Sequence, residues 1–364
     1  MKRIAAILLI IAALFAPCGC KKTDAKYQYA FFDVFDTVTE LTIYAENEAA
    51  AADAARAAHE RLIYLNKLFD IYNEYDDAVS LMAVNASAAK APVSVSDETM
   101  ALLKFAKEAY KLTGGRVNAA MGSVLSIWHD YREAGLADEA NAQLPPMELL
   151  KQAAEHTDIN SIVLDEANGT VFFTDSMVRL DVGAIAKGFA GQIVTDELNA
   201  RIDAGEISAA LISLGGNVCA AGAKPNGEAW QIAVQDPRGG DNAATVSIAS
   251  GYVVTSGDYQ RYYTVNGVRY NHIIDPDTLM SADKHASVTV ISSDGALADA
   301  LSTALFIMDT GEGRGVFGHG ACGRGRRMQR QALGLCAGGA RLIRSEHGHK
   351  GARHDKHVER RGAA

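Results

Sequence analysis

Cysteine is scarce in this chain, and the few copies stand where they cannot staple a core. Of five, Cys18 and Cys20 lie near the start, Cys322 and Cys336 near the end, and only Cys219 falls between. A framework of structural disulfides is therefore excluded. Positive charge is also in deficit: 35 Lys and Arg stand against 44 Asp and Glu, a net −9 that argues against nucleic acid as a general partner. The one long apolar run, "IAAILLIIAALFA" at residues 4–16, is too short and too early for a good membrane span. No segment recurs at a fixed period. With 364 residues, 48% of them hydrophobic, the chain can bury one large core or two small ones.

The first twenty residues read as an export signal. "MKR" supplies the positive start, residues 4–16 the apolar stretch, and "PCGCKK" follows. A small residue before Cys20, with charge after it, is similar to a bacterial lipoprotein processing site. Cys20 then becomes the lipidated first residue of a protein anchored to the bacterial cell membrane on its extracytoplasmic side. Cys18, behind Pro17, is the poorer acceptor, and ordinary cleaved secretion is the alternative. Residues 21–27 read as a polar tether.

From there the pattern mixes helices and strands. "FFDVFDTVTELTIYA", residues 31–45, is aromatic and β-branched and predicts a strand. Residues 48–70 predict a long Ala-rich helix with Leu62, Leu65 and Phe69 on one face. Residues 96–115 predict a helix capped by Ser96 and stopped by Gly114-Gly115, and residues 145–156 a shorter one. Hairpins are expected at Asn168-Gly169 and Asn266-Gly267. Residues 178–201 run from strand through a Gly/Ala loop into a helix. "AALISLGGN", "WQIAVQD", "ATVSIAS" and "ASVTVISS" predict strands, and "GALADALSTALFIM" a final apolar helix. The expected class is α+β with mainly antiparallel sheets and packed helices, in one domain over residues 21–310.

Residues 311–364 break this grammar. They hold 12 of the 35 basic residues, 4 of the 44 acidic ones and 13 of the 33 glycines, so this tract is +8 and the preceding 310 residues are −17. Two readings stay open: a disordered basic tail, or a reading-frame shift near residue 311. The second is favoured, and under it the five histidines there carry no metal-binding meaning.

Four stretches can carry chemistry. In "LDVGAIAKGFA", residues 180–190, Asp181 precedes a small-residue loop and Lys187 sits near a helix start. Free N–H groups and a cation there suit phosphate oxygens, although the stretch is neither a Walker A loop nor a GxGxxG, and a plain strand–helix turn fits equally. "SLGGN" places Gly215-Gly216 after an apolar strand, as a tight turn or as backbone for a ligand to approach. "TSGDYQRYY" and "HIIDPDT", residues 255–263 and 272–278, are joined by a hairpin that can bring Ser256, Gly257 and His272 to one site. A neutral His272 there suits proton removal from a hydroxyl, although a lone histidine is more often structural. In "DGALADALSTALF", residues 294–306, Asp299 and Thr303 are spaced i, i+4 on a helix apolar nearly all round. A carboxylate and a hydroxyl so placed form half of a hard-cation site, or else a cap and a hydroxyl bonded back to its own helix.

Taken in order, these stretches resemble the ApbE family of FAD:protein FMN transferases, formerly called thiamine-biosynthesis lipoproteins. The resemblance runs from about Phe31 to Met308. It rests on "LDVGAIAKGFA", "SLGGNVCAAGAKPNGEAWQIAVQDP", "TSGDYQRYY…HIIDPDT" and "ADALSTALF". It implies an ApbE-like, T-fold-related domain that cleaves FAD at its pyrophosphate with magnesium, releases AMP and attaches FMN to a threonine of an acceptor protein. The acceptors it implies are subunits of sodium-pumping quinone reductase or Rnf-type complexes bearing a Ser/Thr-Gly-Ala-Thr-like motif. FAD hydrolysis and non-catalytic flavin binding are the alternatives.

Carried over by residue, the resemblance implies that Asp299, Thr303 and the backbone carbonyl of Ala184 hold magnesium. Asp181, Lys187 and His272 contact FAD, with His272 as the base for the acceptor hydroxyl. Tyr72 matches the family's flavin-contacting tyrosine. Arg116, Val117 and Asn118 occupy the stretch where the family often reads Gly-Ala-Phe-Asp, and Phe35-Asp36-Thr37 stand where it reads Met-Gly-Thr.

Overall fold

A computed structural model describes residues 24–313 and two further strands, Leu333–Ala337 and Arg341–Ile343. The export signal, Cys20, the five tail histidines and most of the basic tract lie outside the described residues. Among those described, no helix is long and apolar enough to cross a membrane.

The chain opens with β1 (Ala25–Val34) and β2 (Thr37–Ala45), an antiparallel hairpin rather than the single strand expected over residues 31–45. The turn was hidden because it holds no glycine: Phe35 and Asp36 themselves take positive φ, 53° and 48°. The expected tether also shortens, since β1 begins at Ala25. Next come α1 (Glu48–Phe69), α2 (Leu81–Ser87), β3 (Val93–Ser94) and α3 (Asp97–Leu112). Ser96 caps α3 by accepting from the Thr99 N–H at 3.1 Å, and Gly114 and Gly115, at φ 61° and 87°, end it as expected. Then follow α4 (Gly122–Ala137), α5 (Met147–Ala154) and the hairpin of β4 (Ile162–Asp165) and β5 (Thr170–Phe173), turning at Gly169.

No strand forms before the Gly/Ala loop. Residues 178–181 are extended and make one isolated parallel bridge, Arg179 to Met121. The loop leads into α6 (Ala186–Asp203). β6 (Ala209–Leu214) and β7 (Asn217–Ala221) pair across Gly215-Gly216. β8 (Trp230–Val234) and β9 (Ala244–Ile248) form a separate ribbon. β10 (Gly251–Gly257) is followed by the hairpin β11 (Tyr262–Val265) and β12 (Val268–Asn271), which turns at Asn266-Gly267. β13 (Ser287–Ser292) and α7 (Gly295–Ile307) follow.

The main sheet is antiparallel, in the order β1-β2-β6-β7-β10-β13-β14-β15, where β14 is Leu333–Ala337 and β15 Arg341–Ile343. The last two are a difference from the sequence reading, which gave the tract no element. The open edge of β13 offers unpaired backbone groups that any extended segment satisfies, and β14 takes them from Ile291 to Ser287. Helices α1, α6 and α7 pack on the sheet and on one another over the main core. A second core joins α4 and α5 to the β11–β12 hairpin through Trp128, Leu150, Tyr263 and Leu279. The α+β, mainly antiparallel architecture agrees with the sequence reading.

Candidate active site

Between the two cores lies a cleft of about 610 Å³. It brings together every residue the sequence assigned to metal or flavin: Tyr72, Arg116, Val117 and Asn118, then Asp181, Ala184 and Lys187 along the Gly/Ala loop, and His272, Asp299 and Thr303. Ser256 and Gly257 line it too.

The tightest corner is where α6 meets α7. Gly188 lies so close to α7 that a Cβ there would stand 2.5 Å from the Asp299 Cβ. This approach lets the Gly188 N–H donate to Asp299 Oδ2 at 2.7 Å. That N–H would ordinarily bond the Ala184 carbonyl, four residues back. Among the described residues no hydrogen bond ends on Ala184 O, so this carbonyl is left open beside the cleft. Asp299 is only 4% exposed. Desolvation pushes its pKa up, opposed by the Lys187 ammonium and the Gly188 N–H. It is not the helix cap, since Asp294 caps α7 by accepting from Leu297 N–H at 2.8 Å. Thr303 Oγ1 lies one turn on, 3.3 Å from Ser256 Oγ. Among the described residues no cluster of three or more His, Cys, Asp or Glu could hold a metal. A cation here would draw on a different set, namely one carboxylate, one hydroxyl and one free carbonyl. All are hard oxygen donors, and a buried carboxylate whose one hydrogen bond of good geometry comes from the Gly188 N–H leaves room for a cation, so the residues fit magnesium.

The ammonium of Lys187, in the first turn of α6, makes no hydrogen bond or ion pair among the described residues, and the residue lines the cleft. His272 follows β12 at the end of the hairpin. Its Nδ1 is 3.1 Å from the Arg261 carbonyl oxygen. A carbonyl only accepts, so Nδ1 carries the proton and Nε2 keeps its lone pair. The ring is open to the cleft yet ringed by protein. Desolvation, then Lys187, Arg261 and Arg132, push its pKa down to about 4, against the Arg261 carbonyl, which raises it.

Asp181 is delivered by a backbone clamp that the sequence did not reveal. Asn85 Nδ2 donates to Leu180 O at 3.0 Å, and Asn85 Oδ1 accepts from Leu180 N–H at 2.7 Å. The side-chain amide thus replaces a neighbouring strand. Asp181 Oδ1 accepts from Gly183 N–H at 2.8 Å, while desolvation pushes its pKa up.

Arg116, Val117 and Asn118, expected in the flavin-binding stretch, line the cleft, and the side chains of Arg116 and Asn118 are engaged by protein groups. The Arg116 guanidinium is held by Asp275 at 3.3 Å, by Glu312 at 2.7 Å and by Asp277. The Asn118 amide bonds Ala120 N–H and Thr157 O, so it shapes the turn. Val117 is buried. Tyr72 is 55% exposed, with its N–H bonded to Asp70 Oδ1 at 2.7 Å. His129, Arg132, Asn217 and Arg261 also line the cleft and were missed. Helix α4, which carries His129 and Arg132, has a readable signal in the spacing of Val124, Leu125 and Trp128.

An α+β domain whose cleft joins a hard-oxygen corner, a free ammonium and a histidine with a bare Nε2 is equipped to handle phosphate groups. The chain belongs to the ApbE family, whose pattern residues 35–320 match. It is 31% identical over 318 residues to an FAD:protein FMN transferase of Treponema pallidum (strain Nichols), covering 83% of this chain and 84% of that protein. It is 30% identical to an FAD:protein FMN transferase of Klebsiella pneumoniae (strain 342), over 73% of this chain and 78% of that one. Among solved structures, the ApbE protein of Thermotoga maritima superposes with a TM-score of 0.72 at 29% identity, covering 88% of this chain and 97% of its own. The flavin transferase ApbE of Vibrio cholerae, at 23% identity and a TM-score of 0.68 over 86% of this chain and 93% of its own, shares the fold.

Proposed function

We propose that this protein is an FAD:protein FMN transferase. In the reaction, a threonine hydroxyl of an acceptor protein attacks the FMN phosphorus of FAD. A new phosphoester P–O bond forms, the P–O bond to the bridging oxygen breaks, and AMP leaves with that oxygen. The observation that carries this reading is the meeting of Asp299, Thr303, the open Ala184 carbonyl and Lys187 in one cleft with His272.

His272 Nε2 takes the hydroxyl proton. Its depressed pKa keeps it in the accepting form across neutral pH. The Lys187 ammonium neutralises the diphosphate oxygens, since the Ala186, Gly188 and Phe189 N–H groups of the first turn of α6 are already bonded within the protein. Asp299, Thr303 and Ala184 O would hold magnesium, which when bound draws charge from those oxygens and stabilises the leaving AMP. Asp181 and Tyr72 bind the flavin part. Arg116 and Val117-Asn118 shape the wall behind it. The acceptor carries a Ser/Thr-Gly-Ala-Thr-like motif, on a quinone-reductase or Rnf-type subunit. Lipidation at Cys20 anchors the enzyme to the extracytoplasmic face of the membrane, where such subunits are reached.

The test is incubation with FAD, magnesium and a purified acceptor bearing Ser-Gly-Ala-Thr. A flavin-fluorescent acceptor band with stoichiometric AMP is expected, and Asp299→Asn is expected to lose both while still binding FAD. Free FMN with a dark band would mean hydrolysis instead. Tight FAD binding with no AMP would mean a flavin-binding protein without turnover.

A further inference from the structure

His129 was not singled out in the sequence, yet it stands in the cleft beside Tyr72. The two rings pack with centroids 4.9 Å apart and planes tilted by 33°. Nothing as flat as a flavin can enter between rings so close, so His129 covers one face of Tyr72 and leaves the other. That other face accounts for a side chain 55% exposed in the cleft mouth.

His129 is itself fixed. Arg132, one turn further along α4, places Nη2 2.9 Å from His129 Nδ1. A guanidinium only donates, so Nδ1 accepts, and the ring is held in one tautomer and one orientation. Glu133 Oε1 receives Arg132 Nε and Nη2 at 3.2 and 3.1 Å and steadies the guanidinium. From the other side, Asp70 fixes the backbone of Tyr72. Its Oδ1 accepts from Tyr72 N–H at 2.7 Å and Asn73 N–H at 3.1 Å, and its Oδ2 from the Tyr75 hydroxyl at 2.6 Å. An exposed tyrosine is thus tied at its main chain and propped at its ring. Such a side chain loses little rotamer freedom when a flat ligand settles on it.

We propose that His129, oriented by Arg132, is a positioning residue that props Tyr72 as a platform for the isoalloxazine ring of FAD. The proposal rests on the FAD-binding reading above. The ligand class is a planar, extended heteroaromatic ring, and the platform discriminates flavin dinucleotides from nucleotides that lack it.

The experiment measures FAD and ADP binding by calorimetry to the wild type, His129→Ala and His129→Phe, with steady-state FMN transfer alongside. Loss of one well-placed ring contact weakens binding about two- to tenfold. His129→Ala is therefore expected to raise the FAD Kd and KM by that factor and leave kcat within about twofold. His129→Phe, which keeps the prop and loses the hydrogen bond, is expected to recover most of the loss. ADP, which has no flavin ring, is expected to bind all three alike, and this reports an intact fold. Equal FAD binding by wild type and His129→Ala overturns the proposal, as does a His129→Phe variant as weak as His129→Ala. Should the wild type not bind FAD at all, the FAD-binding reading itself falls, which is a separate outcome.

Discussion

Gly188→Ala tests the contact on which the cation corner depends. The added methyl carbon would stand 2.5 Å from Asp299 Cβ and 3.1 Å from Asp299 Oδ2, with the Gly295 carbonyl oxygen also in its path. Backbone and Cβ atoms cannot swing aside, so α6 and α7 must separate. Overpacking of this kind costs about 1–3 kcal/mol. Separation also breaks the Gly188 N–H to Asp299 bond, a charged hydrogen bond contributing about 1.5–3 kcal/mol. Alanine returns up to about 1 kcal/mol through its better helix propensity. The net loss is about 2–5 kcal/mol, which lowers Tm by roughly 3–8 °C in a domain of this size. Calorimetry with and without magnesium separates the local effect from a general one. The wild type is expected to gain stability with magnesium by mass action, and Gly188→Ala to lose most of that gain together with FMN transfer. Gly205→Ala serves as control. Gly205 has φ +73° with nothing within 4 Å of the added carbon. It therefore pays only the left-handed strain of about 1–2 kcal/mol and keeps the magnesium response. A Gly188→Ala protein that melts with the wild type, or that keeps the full magnesium response, would refute the reasoning.

Two further outcomes are expected. The Lys187 ammonium disfavours the imidazolium of His272, so its removal raises the His272 pKa. In Lys187→Met the acid limb of kcat/KM against pH should move up from near 4 towards, but not reaching, the ordinary histidine value of about 6.5, since desolvation, the largest cause, remains together with Arg261 and Arg132. A lower rate with an unmoved limb would show that another group takes the proton. Asn85→Ala leaves the Leu180 N–H and carbonyl without their partners, a loss of about 2–4 kcal/mol for two buried groups. The urea midpoint should fall accordingly and FAD should bind more weakly, because Asp181 is the next residue. An unchanged midpoint would sink the clamp.

What the sequence disclosed and what it hid divide by the range of the contacts involved. Asn266-Gly267 declares its turn locally, because both residues take positive φ, 50° and 80°. The Phe35-Asp36 turn uses the same backbone with side chains that rarely adopt it, and it passed as strand. β10 went unseen for a different reason. Tyr252, Val253 and Val254 are all buried, so it shows none of the alternation that makes β8 plain. α4 begins at Gly122, behind Met121, which gives no side-chain cap; that removes the usual start signal and took His129 and Arg132 with it.

The site divides in the same way. Asp299 and Thr303 were legible because a carboxylate on an apolar helix demands a partner, and a spacing of four fixes a common face. That demand is local to one helix, but its satisfaction is not. The partner is a backbone N–H 111 residues away, reachable only because residue 188 has no Cβ. Asn85 shows the limit more sharply. It holds Asp181 through the main chain of Leu180, 95 residues off, and any residue at 180 would present the same N–H and carbonyl. Its role therefore leaves no trace in the identity of its partner. Residues that grip a ligand must be of the right type and can be read from sequence. Residues that grip the backbone beneath them are free of that constraint on the partner's side, and only coordinates reveal them.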